Sequence, residues 1–251
     1  MPEPGGLKGR LVQPERVLLL EDDPGVRLFV QMALEPLGVD LVQCATLAQA
    51  RQALRDGCAR LVFTDLALPD GSGLELLQWL HDHARQPGEV CRTVVFSGGI
   101  DPAMERKLQA LQVWRVLHKP ASVGSLMACV SEALAVQAQS TQSATALSPG
   151  DPVAQFFGGN RPLYDAYRVQ CLAQFPKDLN AGDLAARAGD AQALRHVAHN
   201  LKSVLAMLGE APAAQYARAT EQAAAQGAYG VSLQASWQPL RAGVQALLTG
   251  A

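Results

Sequence analysis

The chain is short of most features that assign a protein quickly. It has no apolar run approaching the ~20 residues needed to cross a bilayer; runs such as "VLLL" and "VLAML" are far shorter, so no membrane insertion is expected. It has no Gly-rich phosphate loop with a following lysine, so no ATP-binding kinase module is expected either. A formal net charge of −2 leaves no bulk attraction to nucleic acid or anionic lipid. Cysteines number five, an odd count, at Cys44, Cys58, Cys91, Cys129 and Cys171. They lack metal-ligand spacing, which fits reduced thiols in a cytoplasm better than a disulfide framework. The opening "MPEPGGLKGRLVQPER" has no apolar signal-peptide core, and residues 1–14 read as a loose leader. Aromatics make up only 5% of the chain while Ala and Leu abound, favouring helix.

What is present divides into two textures, and 251 residues suffice for two domains, each with its own core. Over residues 15–137, short apolar strand candidates (16–20, 39–44, 60–65, 92–97 and 114–118) alternate with helical patterns (25–36, 47–57, 73–85, 102–112 and 121–137). Five β-α units with nearly continuous apolar strands predict a parallel sheet covered on both faces. Residues 138–155 turn polar and small, with Pro and Gly near their end, and read as a linker of about 25 Å r.m.s. span. From 156 to 248 strand signals vanish. Four or five helices, broken at Pro176, "AGD", "GEAP" and "GAYG", predict an all-α antiparallel bundle, with Asp190 as one N-cap.

A parallel sheet places its chemistry at the carboxyl ends of its strands. There the sequence sets Glu21, Asp22 and Asp23 after strand one and Asp65 after strand three. Ser97 ends strand four, and Lys119 before Pro120 ends strand five. Taken singly, each is most often a cap, a turn residue or a surface charge; together they converge on one edge. Carboxylates gathered in one pocket repel and need a cation, and a hard ion such as Mg²⁺ suits Glu21, Asp22 and Asp65. Asp65 can then attack a phosphoryl group, with Lys119 and Ser97 stabilising the anionic transition state.

These residues strongly resemble the receiver domain of bacterial response regulators, at all of its signature positions: Glu21/Asp22, Asp65, Ser97 and Lys119-Pro120. The resemblance implies a flavodoxin-like (βα)5 fold of strand order 2-1-3-4-5, with Asp65 as phosphoacceptor. It also implies an aromatic switch residue three before the lysine, where this chain has Val116.

The second half contains "LRHVAHNLKSVLAMLGE" (194–210). Wound at roughly 100° per residue, it sets Val197, Leu201, Val204 and Leu208 on one face. His199 stands at the centre of the opposite face, among Arg195, Lys202, Ser203 and Ala206. Lys202, three residues on, shares a face with His199 and can touch a phosphate carried there. His196 lies about 60° away and reads as a half-buried helix histidine at the bundle's edge. Chelation of a metal by His196 and His199 lacks a third ligand in that helix.

The stretch resembles the histidine phosphotransfer (HPt) motif, H-x-L-K-small with a glycine six positions later, here His199, Leu201, Lys202, Ser203 and Gly209. This implies a phosphorelay protein. Asp65 would accept a phosphoryl group from a phosphohistidine on a sensor histidine kinase, a hybrid one for preference. His199 would carry phosphoryl to or from a receiver aspartate, on this chain or on another response regulator. The alternatives are a phosphate sink, or a receiver-controlled interaction module without Asp65–His199 transfer. A DNA-binding output is disfavoured, because the last hundred residues lack a basic recognition helix.

Overall fold

In the computed structural model the described residues are 14–83, 91–135 and 151–250. Residues 1–13 of the expected leader (1–14) and 138–150 of the expected linker (138–155) lie outside them.

The first half is an α/β layer structure. Its main strands are β1 (Arg16–Leu20), β2 (Asp40–Cys44), β3 (Leu61–Thr64), β6 (Arg92–Ser97) and β7 (Arg115–His118). They pair in parallel in the order β2-β1-β3-β6-β7, which is the order 2-1-3-4-5 that the receiver resemblance implies. Successive strand side chains point to opposite faces, so one apolar strand serves two cores. Val17 and Leu19 of β1 meet α1 (Pro24–Leu34) and α5 (Val123–Leu134) on one face. Leu18 and Leu20 meet α2 (Leu47–Asp56) and part of α3 (Gly73–Asp82) on the other. The rest of α3 packs with α4 (Pro102–Ala110) through Leu77, Val95 and Leu108, and Val116 fills space beside them. The helix starts are chemically marked: Asp23, Thr46, Asp101 and Ser122 each accept a backbone N–H, and Ser72 forms a reciprocal capping box with Glu75. Sequence periodicity misses only a two-residue antiparallel pair, β4 (Ala67–Leu68) and β5 (Gly71–Ser72), in the loop after Asp65.

The second half is helical: α6 (Pro152–Phe157), α7 (Arg161–Ala188), α8 (Ala191–Met207), α9 (Ala211–Ala225) and α10 (Gly230–Thr249). Three expected breaks are real, at Gly189, Gly209 and Gly227–Gly230, and each of these glycines has positive φ. Asp190 caps α8 by accepting from Ala193 N at 2.9 Å. Pro176 does not break its helix: it sits inside the 28-residue α7. Proline removes one backbone hydrogen bond there, but neighbouring Tyr167, Cys171, Phe175 and Leu179 are all buried, and their packing holds the helix through it. Pro152–Gln155, placed in the linker by composition, begin α6, whose N-cap is Asp151.

Helix α7 meets α10 at a glycine. A Cβ on Gly182 would come within 2.2 Å of the buried Trp237 ring, whose Nε1 donates to Asp183 Oδ1 at 2.8 Å. Ala is the better helix former by about 1 kcal/mol, yet overpacking a core costs about 1–3 kcal/mol. Gly182→Ala is therefore expected to lower the thermal unfolding midpoint of the bundle, as followed by the Trp237 near-UV signal.

The two halves share one continuous core. Phe29 of α1 meets Phe157 and Tyr167 edge-on, with ring centroids 5.3 and 5.6 Å apart, and the buried cluster runs from the sheet through α1 and α5 into the bundle. Edge-to-face aromatic pairs add about 0.5–1.5 kcal/mol beyond the area they bury. Gly25, at the start of α1, lets α8 come close: a Cβ there would lie 2.8 Å from Val204 Cγ2.

Candidate functional site

The carboxyl ends of β1, β3, β6 and β7 converge as expected. Glu21, Asp65 and Ser97 are almost fully buried. The Lys119 ammonium, its side chain 3% exposed, bridges Asp65 Oδ2 at 2.6 Å and Glu21 Oε2 at 2.5 Å. Asp23 separates from its two acidic neighbours and turns to cap α1, accepting from Gly25 N at 2.7 Å.

Burial pushes Glu21 up to about 8, and the Asp65 charge adds to this while Lys119 opposes it. Asp65 goes the other way. Burial raises its carboxyl, but Lys119 and His199 overcome burial and hold it well below the ordinary carboxylate value. The intended nucleophile is therefore ionised at neutral pH, as in-line attack on phosphorus requires. Lys119 is raised above its ordinary value because Glu21 and Asp65 outweigh the opposing effect of burial.

Glu21, Asp22 and Asp65 each place an oxygen within 4.8 Å of the others. Asp22 is 5% exposed at its side chain, and its Oδ1 is buried with no hydrogen-bond partner. An all-oxygen donor set with an unsatisfied carboxylate oxygen fits a hard divalent ion.

The bundle delivers the rest. Most of the face of α8 expected to be wet is covered: the His199 side chain is 14% exposed and Ser203 is buried, while Arg195 stays exposed, because α8 lies over the carboxylate pocket of the sheet. His199 Nε2 lies 3.8 Å from Asp65 Oδ2, is buried, and has no hydrogen-bond partner. Its Nδ1 pairs with Glu221 Oε1 at 2.7 Å, and Lys202 Nζ donates to Glu221 Oε2 at 2.5 Å. A carboxylate on Nδ1 holds a proton there, so loss of the other ring proton would free the Nε2 lone pair on the side facing Asp65. Burial lowers the imidazole, but Asp65 and Glu221 on its two nitrogens overcome this and raise His199 to about 9. His196, read as an edge histidine, is half-buried as expected, but its partner is unforeseen: Nε2 lies 2.7 Å from Asp22 Oδ2.

Glu221 escapes sequence reasoning, although one signal points to it: it is the sole carboxylate in the Ala-rich helix α9. Burial raises Glu221, but hydrogen bonds from His199 and Lys202 prevail and hold it at about 2. Its stabilising contribution is thus complete above its ordinary value of 4.5 and is lost as pH falls through about 2. A wild-type advantage over Glu221→Gln in thermal midpoint is expected at pH 6. That gap should shrink steadily as pH is lowered from about 4.5 toward 2, measured by circular dichroism.

Comparison with known proteins finds two domains in the chain. Residues 17–131 match the response regulator receiver domain and residues 166–250 match the Hpt domain. The chain thus carries a receiver domain followed by an Hpt domain. Among its relatives are two curated proteins. The response regulator protein PilR of Pseudomonas aeruginosa is 29% identical over 158 residues, covering 62% of this chain and 33% of PilR. The response regulator receiver protein CpdR of Brucella abortus is 29% identical, covering 42% of this chain and 85% of CpdR. The chain spans a third of PilR and 57% of the KDP operon regulator KdpE of Escherichia coli. A solved CheY-like receiver domain from Methanospirillum hungatei is 22% identical, covering 49% of this chain and 95% of its own, with a TM-score of 0.45.

Proposed function

We propose that this protein is a phosphorelay intermediate in which Asp65 and His199 exchange a phosphoryl group within one chain. The domains are divided as 15–137 and 156–248. The observation that carries the reading is the approach of His199 Nε2 to Asp65 Oδ2, 3.8 Å, with Nδ1 held by Glu221.

A phosphohistidine on a partner kinase loads Asp65: its P–N bond breaks as the carboxylate oxygen bonds phosphorus. In the second step His199 Nε2, having released its proton to solvent, bonds phosphorus. The P–O bond to Asp65 breaks, and its electron pair returns to the carboxylate. Glu21, Asp22 and Asp65 would hold Mg²⁺, which neutralises the transferring oxygens. Lys119 places its ammonium on Asp65, Ser97 stands beside the pocket as a hydroxyl donor, and Lys202 can leave Glu221 to meet a phosphate on His199. Transfer is reversible, so the same geometry serves return flow to Asp65. From His199 the group passes to the aspartate of another receiver.

Val116 sits in the apolar cluster with Leu77, Val95 and Leu108, so no aromatic side chain swings at that position. The described cysteines are all free thiols, and no described helix is long and apolar enough to cross a membrane; both support a place in the cytoplasm.

Loading the full chain with acetyl phosphate and Mg²⁺ tests this. A base-stable, acid-labile label is expected on His199 alongside a base-labile one on Asp65. Label on Asp65 alone would mean that the two acceptors serve separate partners.

A further inference from the structure

Helix α8 reaches the receiver pocket with more than His199. Residues three and four apart share a helix face, so the face that aims His199 at Asp65 also carries His196 and Asn200 to the neighbouring acid. His196 Nε2 lies 2.7 Å from Asp22 Oδ2, and Asn200 Nδ2 donates to the same oxygen at 3.1 Å. Asn200 Nδ2 also lies 3.4 Å from His196 Nε2, so the two nitrogens sit side by side against one carboxylate oxygen. The Asp22 carboxylate is thus engaged unequally: two nitrogens from the bundle hold Oδ2, while the buried Oδ1 has no partner.

That asymmetry is the signature of a supported metal ligand. A carboxylate that coordinates through one oxygen is oriented by donors on its other oxygen, and such supporting groups strongly affect metal affinity. Here the support comes from a different domain. Isolated from the bundle, the receiver would retain Glu21, Asp22 and Asp65 but lose both donors to Asp22.

We propose that His196 and Asn200 are positioning residues that hold Asp22 for a divalent cation from across the domain boundary, so that docking of the bundle and cation binding reinforce each other. The proposal rests on the reading of Glu21, Asp22 and Asp65 as the cation site. Neither positioning residue touches the cation; both act through Asp22. Because coupling between two binding events is reciprocal, a cation that binds the docked form more tightly also favours docking. The phosphoryl group would then be handed over where the cation is held best.

The test is a titration of the full chain with Mn²⁺, reading free Mn²⁺ by electron paramagnetic resonance. The His196→Ala/Asn200→Ala double variant is expected to raise the Mn²⁺ dissociation constant about ten-fold or more, with an unchanged far-UV spectrum. His196→Gln, which keeps an N–H donor, should recover part of the loss. In a Gly25→Leu background, designed to separate the domains, binding is expected to be weakened already, and the double substitution should add nothing. Binding in the double variant as tight as or tighter than wild type would overturn the proposal. So would an undiminished effect of the double substitution in the Gly25→Leu background. Failure of the wild type to bind Mn²⁺, or unaltered binding by Asp22→Ala, would overturn the cation-site reading and this inference with it.

Discussion

Asp65→Asn is expected to remove phosphoryl label from both acceptors, whereas His199→Gln removes it from His199 and leaves Asp65 labelled. The asymmetry follows from the pocket. Asp65 is an ionised carboxylate held by Lys119 beside two further acids that fit a divalent cation, all of which favours in-line attack on a small acyl phosphate. His199 has no such pocket of its own. Its Nε2 faces Asp65, and its neighbours Glu221 and Lys202 neutralise each other. Histidine label is therefore expected to fall about 100-fold or more in Asp65→Asn, the scale on which a lost catalytic group acts. Acid and base stability of the label distinguishes phosphohistidine from aspartyl phosphate. Histidine label that survives in Asp65→Asn would sink the internal relay.

Gly25→Leu is expected to leave Asp65 loadable and to slow transfer to His199 about 100-fold, the typical consequence of misplacing reacting groups by about 1 Å. A Cβ at residue 25 would lie 2.8 Å from Val204 Cγ2 and 3.2 Å from Asp23 Oδ1. Val204 is β-branched and 5% exposed, so it has little freedom to turn aside. The larger side chain must push α8 from α1. Within the receiver Asp23 must give by a few tenths of an ångström, and Leu is a better helix former than Gly in the first turn of α1. Once separated, His199 is available to Asp65 only at the concentration the tether sets, about millimolar for a short flexible linker. The checks are the transfer rate by rapid quench and the radius of gyration by small-angle scattering. A normal rate with an unchanged radius would mean that Val204 yields and the interface survives.

The sequence is most legible where chemistry is local. The nearly continuous apolar runs in "RVLLL" and "RLVFT" mark strands that feed two cores, and Asp, Ser or Thr stands before the apolar helices at their starts. Those short-range rules place every main strand, and five helix starts of the first half, to within about two residues. Pro176 misleads the same reasoning, since a local breaker was outweighed by buried neighbours along α7. Asp65, Lys119 and Ser97 are visible because a parallel sheet brings strand ends together whatever the loops do. His199 is visible because it stands in a stretch that resembles the HPt motif, ringed by small residues and cations.

Glu221, Asn200 and the role of His196 are not legible in this way, because each acquires its meaning from a partner 19 to 178 residues distant. By itself, the sequence determined an α/β half and an all-α half and the groups at each candidate centre, through periodicity, caps and strand-end placement, although the expected separate cores prove to be one continuous core. The tertiary structure alone decided that the two centres face each other. That contact depends on a gap at Gly25 that admits Val204, and on Phe29 meeting Phe157 and Tyr167. It is a match of shape between surfaces far apart in the chain, and no local pattern encodes it.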